Sequence, residues 1–179
     1  LLFAACFYYV GWSWSLLEYL WFIFALVVVC FIDFDHMILP DVFTLSGIVI
    51  GLLGGWLNPD RSFTSALIGV LMGGGFLWAI AYVYFALRKE EGMGGGDIKL
   101  LAWIGAVLGW KSVPFVVLTS SIVGSLVGFA LALRTKGGLK TAIPFGPYLV
   151  LAALLYLFGG EAIGEWYINL FIPSLGPEN

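Results

Sequence analysis

Long stretches of this chain carry no charge at all. No charged residue lies between Glu18 and Asp33, between Asp41 and Asp60, between Arg61 and Arg88, or between Lys111 and Arg134. A helix needs about 20 mostly apolar residues to cross the ~30 Å hydrocarbon core of a bilayer, and these runs, with their flanks, supply that length. The residues are 61% hydrophobic and 11% charged, where a soluble domain carries roughly 25% charged residues. So little polar surface cannot cover a water-facing globule, and the solvent that suits the chain is lipid. No basic tract points to nucleic acid, and a net charge of -3 constrains little when the charges are so few.

Taking charges and glycine/proline clusters as breaks gives helical segments at roughly 1–10, 15–34, 41–57, 64–87, 97–133 and 145–171. The fifth is too long for one span. Gly109, Trp110, Lys111 and Pro114 offer a turn that divides it into a short helix at about 97–109 and a longer one at about 113–133. The fold class expected is an all-α membrane protein, a polytopic bundle of about six to seven transmembrane segments. The chain starts at Leu1 inside an apolar run, so a preceding segment is expected, and no removable signal peptide is recognisable. Basic residues collect on the cytoplasmic side of membrane proteins. Placing the loop near 35–40 there also puts Arg88, Lys89, Lys99, Arg134, Lys136 and Lys140 there, and leaves Arg61 and Lys111 outside.

Glycine recurs every fourth residue at Gly47, Gly51 and Gly55, at Gly69 and Gly73, and at Gly124 and Gly128. Small residues at that spacing let helix backbones approach closely in lipid, which is helix packing and not a site. Cys6 and Cys30 stand in apolar stretches outside any CxxC pair and read as buried free thiols.

Ionisable groups are costly in an apolar chain and call for a reason. Asp33, Asp35 and Asp41 cluster in FIDFDHMILPD, with Asp33 at the end of an apolar helix; Asp97 closes GMGGGDIKL at the start of a short one. The topology above puts both motifs at one membrane face. Two carboxylates held together cannot both ionise easily. They share a proton and supply the base that activates water and the acid that protonates the scissile amide, titrating as a pair. Gly92, Gly94, Gly95 and Gly96 remove side chains before Asp97, so that an unwound substrate backbone can approach it.

The stretches FIDFDHMILPD, RKEEGMGGGDIKLLAWIGAVLGW and IPFGPYL resemble, in order, the signature segments of bacterial type IV prepilin peptidases, GxGD-class intramembrane aspartic proteases. The resemblance implies a catalytic pair at Asp33 and Asp97, with Asp35 a rival for the first position. It implies an aspartic endopeptidase of the bacterial inner membrane, multi-pass, with its active site facing the cytoplasm. Its partners would be the bilayer and the helices of prepilins or pseudopilins of pilus or type II secretion systems, cut after a glycine just before the apolar helix, and not nucleic acid. Proteolysis would need no cofactor or metal. Many members also N-methylate the new terminus with S-adenosylmethionine, and those carry an N-terminal cytoplasmic domain with two CxxC zinc pairs. This sequence has none, so residues 1–179 are expected to form a single transmembrane peptidase domain without the zinc-type domain.

Around the pair, Asp35, Asp41, Gly94, Gly95, Gly96 and Lys99 are candidates for positioning substrate or supporting the aspartates. Asp41 equally suits a helix start, Asp35 a solvated loop, and Lys99 an interfacial anchor. His36 lacks a second histidine for a metal. Pro144 and Pro147 would shape the start of the last helix, and Glu18, Glu161 and Glu165 would lie near the outer face, in reach of water. Each helix end biases its carboxylate: Asp33 at a C-terminus would keep the shared proton, and Asp97 at an N-terminus would ionise. Two other classes compete. A small ion-coupled transporter would also use broken helices and membrane carboxylates, but no internal repeat is visible. A non-catalytic secretion scaffold would not need the aspartates. Within proteases, a signal-peptide-peptidase-like enzyme would carry a tyrosine where Ile32 stands.

Overall fold

The computed structural model describes residues 1–58, 61–89, 94–134 and 144–171, without the side chains of Trp14, Arg134 and 161–171. Among them the chain forms helices throughout and no strand: α1 (Leu2–Val10), α2 (Trp14–His36), α3 (Asp41–Leu57), α4 (Phe63–Arg88), α5 (Gly95–Leu108), α6 (Ser112–Arg134) and α7 (Gly146–Phe171). The expected segments are all present. The turn that separates α5 from α6 sits at Gly109, whose φ of 80° lies in the left-handed region that glycine enters without cost. Ser112 then donates to the Gly109 carbonyl at 2.7 Å.

Ser15–His36 of α2, all of α4, and Ser112–Leu133 of α6 are long and apolar enough to cross a membrane, and α3 and Gly146–Gly160 of α7 are apolar but shorter. The chain is thus a membrane helix bundle. With 14 residues, α5 is about 21 Å long and falls short of spanning. It occupies the centre instead. Every residue from Leu100 to Val107 is buried, as an all-round apolar helix requires.

The glycine stripes explain how α5 is enclosed. A Cβ on Gly69 would meet the Gly105 carbonyl oxygen, and one on Gly73 would lie 2.5 Å from that of Leu101, so α4 and α5 run antiparallel with backbones touching. Gly47 faces Trp103, and Gly51 faces Ala106 at 2.8 Å, so α3 and α5 run parallel. Gly124 of α6 packs on Tyr148 of α7 at 3.3 Å. On the remaining side, Phe22 of α2 meets Trp103 edge-on at 5.2 Å.

The end of the bundle where α5 finishes is tied by a buried ion pair. Arg61 donates to Glu18 Oε1 at 2.6 Å, to the Gly51 carbonyl at 2.8 Å and to the Val107 carbonyl. The last carbonyls of a helix have no partner within it and carry its negative end, so the guanidinium closes α5 while joining α2 to α3. Glu18 is therefore not a water-facing residue as expected. Its side chain is 9% exposed, because Arg61 from the next loop reaches back to it. Beside it Asn58 donates to Ser15 Oγ at 2.6 Å. Cys6 is a buried free thiol and Cys30 a half-buried one. The expected positions of Gly92, Lys136 and Lys140, and the side chains of Glu161 and Glu165, lie outside the described residues.

Candidate active site: an aspartate pair at one end of the bundle

Asp33 lies in the last turn of α2 and points inward, 4% exposed. Asp35 is two residues, about 200° of helical rotation, further round and is exposed. His36 is exposed too. Met37, with φ 54°, turns the chain out of α2, and Pro40 starts α3. Leu39 in this link is wedged between two other helix starts. A Cβ on Gly96 would stand 2.7 Å from Leu39 Cβ, and one on Gly146 would stand 3.3 Å from Leu39 Cδ2. The hairpin from α2 to α3 thereby fixes where α5 and α7 begin.

Those two starts deliver the rest of the site. Asp97 is in the first turn of α5, half-buried, with the bare Gly94 backbone beside its carboxylate, 3.8 Å from where a Cβ would sit. Gly95 faces open space. From α7, the Gly146 N–H donates to Asp33 Oδ2 at 3.0 Å. A Cβ at Gly146 would stand 2.5 Å from that oxygen, so only glycine admits the contact. Pro147 next to it has no N–H to leave unpaired at the helix start.

Asp33 and Asp97 come close enough for one charge to act on the other. Burial, and then the Asp33 charge, push the Asp97 carboxyl up to about 7. The Gly146 N–H, at the positive end of α7, donates to the Asp33 oxygen that it meets. Asp97 thus carries a raised carboxyl although it stands at a helix N-terminus, and Asp33 meets the N-terminus of α7 as well as the C-terminus of its own helix.

The other candidates sort by contact. Lys99 pairs with Asp41 Oδ1 at 2.6 Å, both well exposed, so the lysine holds α5 to the first turn of α3 and does not join the aspartates. Gly96 serves packing on Leu39. Gly146 and Leu39 were not singled out in the sequence. The PFGP motif was the available signal, but it drew attention to its prolines. Among the described residues no three His, Cys, Asp or Glu side chains gather as a metal would need.

Residues 19–129 match the model of the type IV leader peptidase family, a stretch that contains both aspartates. The chain belongs to this family. It is 41% identical over 164 residues to the prepilin leader peptidase/N-methyltransferase of Aeromonas hydrophila, covering 89% of this chain and 55% of that protein. It is 38% identical over 166 residues to the protein of that name from Legionella pneumophila, covering 90% and 56%. With that of Pseudomonas aeruginosa it shares 35% over 159 residues, covering 89% and 55%. The chain thus spans about half the length of these curated relatives. No solved structure gives a significant match. Membership of a leader peptidase family leaves the transporter reading without support.

Proposed function

We propose that the chain is a membrane aspartic endopeptidase that removes the short basic leader of prepilins or pseudopilins, cutting after a glycine at the cytoplasmic face of the bacterial inner membrane. The observation that carries this reading is the meeting of Asp33 and Asp97 at one end of the bundle, with Asp97 under the charge of Asp33. Ionised Asp33 takes a proton from water, whose oxygen attacks the carbonyl carbon of the scissile bond. Protonated Asp97 gives its proton to the carbonyl oxygen, and the resulting diol collapses as a proton passes to the leaving amine. This is the division of labour that a carboxylate pair with separated proton affinities supplies. A glycine-bordered Asp97 leaves room for an extended backbone. The relatives' names add N-methyltransferase, for which S-adenosylmethionine would be the donor; our proposal for residues 1–179, taken as one transmembrane peptidase domain, is confined to proteolysis.

The test is cleavage of a purified prepilin-type substrate in detergent by wild type, Asp33→Asn, Asp97→Asn and Asp35→Asn. Loss of one member of an acid–base pair is expected to lower kcat about 10²–10⁴-fold, with Asp35→Asn close to wild type. An inactive Asp35→Asn beside an active Asp33→Asn would move the first catalytic position. Full activity in Asp97→Asn would end the aspartic mechanism.

A further inference from the structure

Two cavities join into one groove between α4 and α6. One, of about 430 Å³, is bounded by Met72 and Phe76 of α4 and by Val113, Pro114, Val117 and Leu118 of α6. The other, of about 400 Å³, shares Val117 and continues along Ile80 of α4 and Ser121 and Ser125 of α6 to Phe145 and Tyr148 at the start of α7. From Val113 to Ser125 the groove runs about 18 Å, the length of roughly three helical turns, and its walls are apolar but for a few hydroxyls.

Its position in the bundle is fixed by register. Phe145 at its end immediately precedes Gly146, whose N–H holds Asp33. On α4 the antiparallel contacts Gly69–Gly105 and Gly73–Leu101, carried one turn further, set Leu77 level with Asp97, and Leu77 lines the same end of the groove. One end of the groove is therefore level with both aspartates, and the other leads away from them along the helices. A larger cavity of about 580 Å³ is placed otherwise. It lies beside Ser15, Glu18 and Asn58, about 22 Å along α2 from Asp33.

We propose that the α4–α6 groove seats the apolar helix of the substrate, so that the peptide bond just before that helix arrives at the aspartate pair. The proposal rests on the peptidase reading. A substrate cut at the edge of its own apolar helix needs an apolar track whose end is level with the cutting residues, and the Leu77 and Phe145 end of this groove is level with them. Ser121 and Ser125 are small and exposed, so a seated helix can come close to α6 along their face.

The test places a photo-reactive benzoyl-phenylalanine at Ser121, at Ser125, and at Leu53 in the cavity near Glu18, in the chain reconstituted in phospholipid vesicles with a prepilin-type substrate. Substrate adducts are expected at 121 and 125, displaced by excess unlabelled substrate, and not at 53. In parallel, Ser121→Trp and Ser125→Trp are expected to raise KM about tenfold while kcat changes little, the pattern of lost binding common to ground and transition states; Leu53→Trp keeps the wild-type KM. Adducts at 121 and 125 that contain only lipid or a second copy of this chain overturn the proposal, as does a substrate adduct equally strong at 53 or an unchanged KM in both tryptophan variants. Cleavage is scored in the same vesicles. A wild type that forms the adducts but cuts nothing would sink the peptidase reading and support docking, whereas cutting without adducts does the reverse.

Discussion

The Gly146 N–H reaches Asp33 Oδ2 at 3.0 Å across 113 residues of sequence. This hydrogen bond gives α7 a part in the site, because the first peptide of that helix orients a carboxylate carried by α2.

Gly146→Ala should uncouple the two. A Cβ 2.5 Å from the carboxylate oxygen pushes Asp33 out of place, and misplacing a catalytic group by about 1 Å can cost 10²-fold. We expect kcat to fall about 10–100-fold with the thermal midpoint changed little. A variant with wild-type kcat would show that the contact does not set the geometry of Asp33.

The raised Asp97 carboxyl predicts two pH effects. Activity, read as kcat/KM, should decline as pH rises through about 7, where Asp97 loses the proton it has to donate. Stability follows the same group. Between the unfolded value of about 3.9 and about 7, the folded chain keeps a proton that the unfolded chain has released. Stability contributed by that group is present at low pH and is lost across this window as pH rises. Asp97→Asn should therefore melt above wild type at about pH 8, with the gap closing toward about pH 4. Parallel melting curves at all pH values would rule this out.

Backbone contact between α4 and α5 should make Gly105 intolerant of a methyl group. Its Cβ would collide with the Gly69 carbonyl, and overpacking of this kind costs about 1–3 kcal/mol. Gly75 on the same stretch of α4 has nothing within 4 Å of its would-be Cβ, so Gly75→Ala is expected to leave stability equal or raised, since alanine favours a helix by about 0.5–1 kcal/mol over glycine. Denaturation in mixed micelles compares the two.

The buried pair at the other end should be sensitive to loss of one partner. Removing one member of a buried ion pair typically costs about 3–5 kcal/mol, while apolar replacement of both is often close to neutral. Glu18→Leu leaves the Arg61 guanidinium with the Gly51 and Val107 carbonyls but no counter-charge. It should destabilise strongly, and Glu18→Leu with Arg61→Met should recover most of the loss. If the double variant is no better than the single, the carbonyl contacts of Arg61 matter more than its charge pairing.

Helix limits and the glycine stripes could be read from the sequence because each is a local signal. Charge-free runs end at Asp33, Arg88 and Lys111, and Gly109 breaks the long fifth run. Partners across the bundle could not be read in this way. Lys99 suits an interfacial anchor or a neighbour of the aspartates in the sequence, and neither reading names Asp41, with which the fold pairs it. Glu18 looked like a water-facing residue because Arg61, from the loop after α3, is invisible to a hydropathy profile. The surroundings of Asp33 are hidden for a similar reason: the sequence shows which helix carries an aspartate, but not that α7 begins against it.

The enclosure of α5 bears on how the molecule is made. A helix of about 21 Å, opening with Asp97 and Lys99 and covered on every side from Leu100 to Val107, presents no face for lipid to solvate. It has little reason to enter a bilayer alone during synthesis, and its stable place exists only once α3 and α4 offer their glycine faces. The two aspartates therefore meet only in the packed bundle, since Asp97 is carried by a helix that has no stable place without its neighbours.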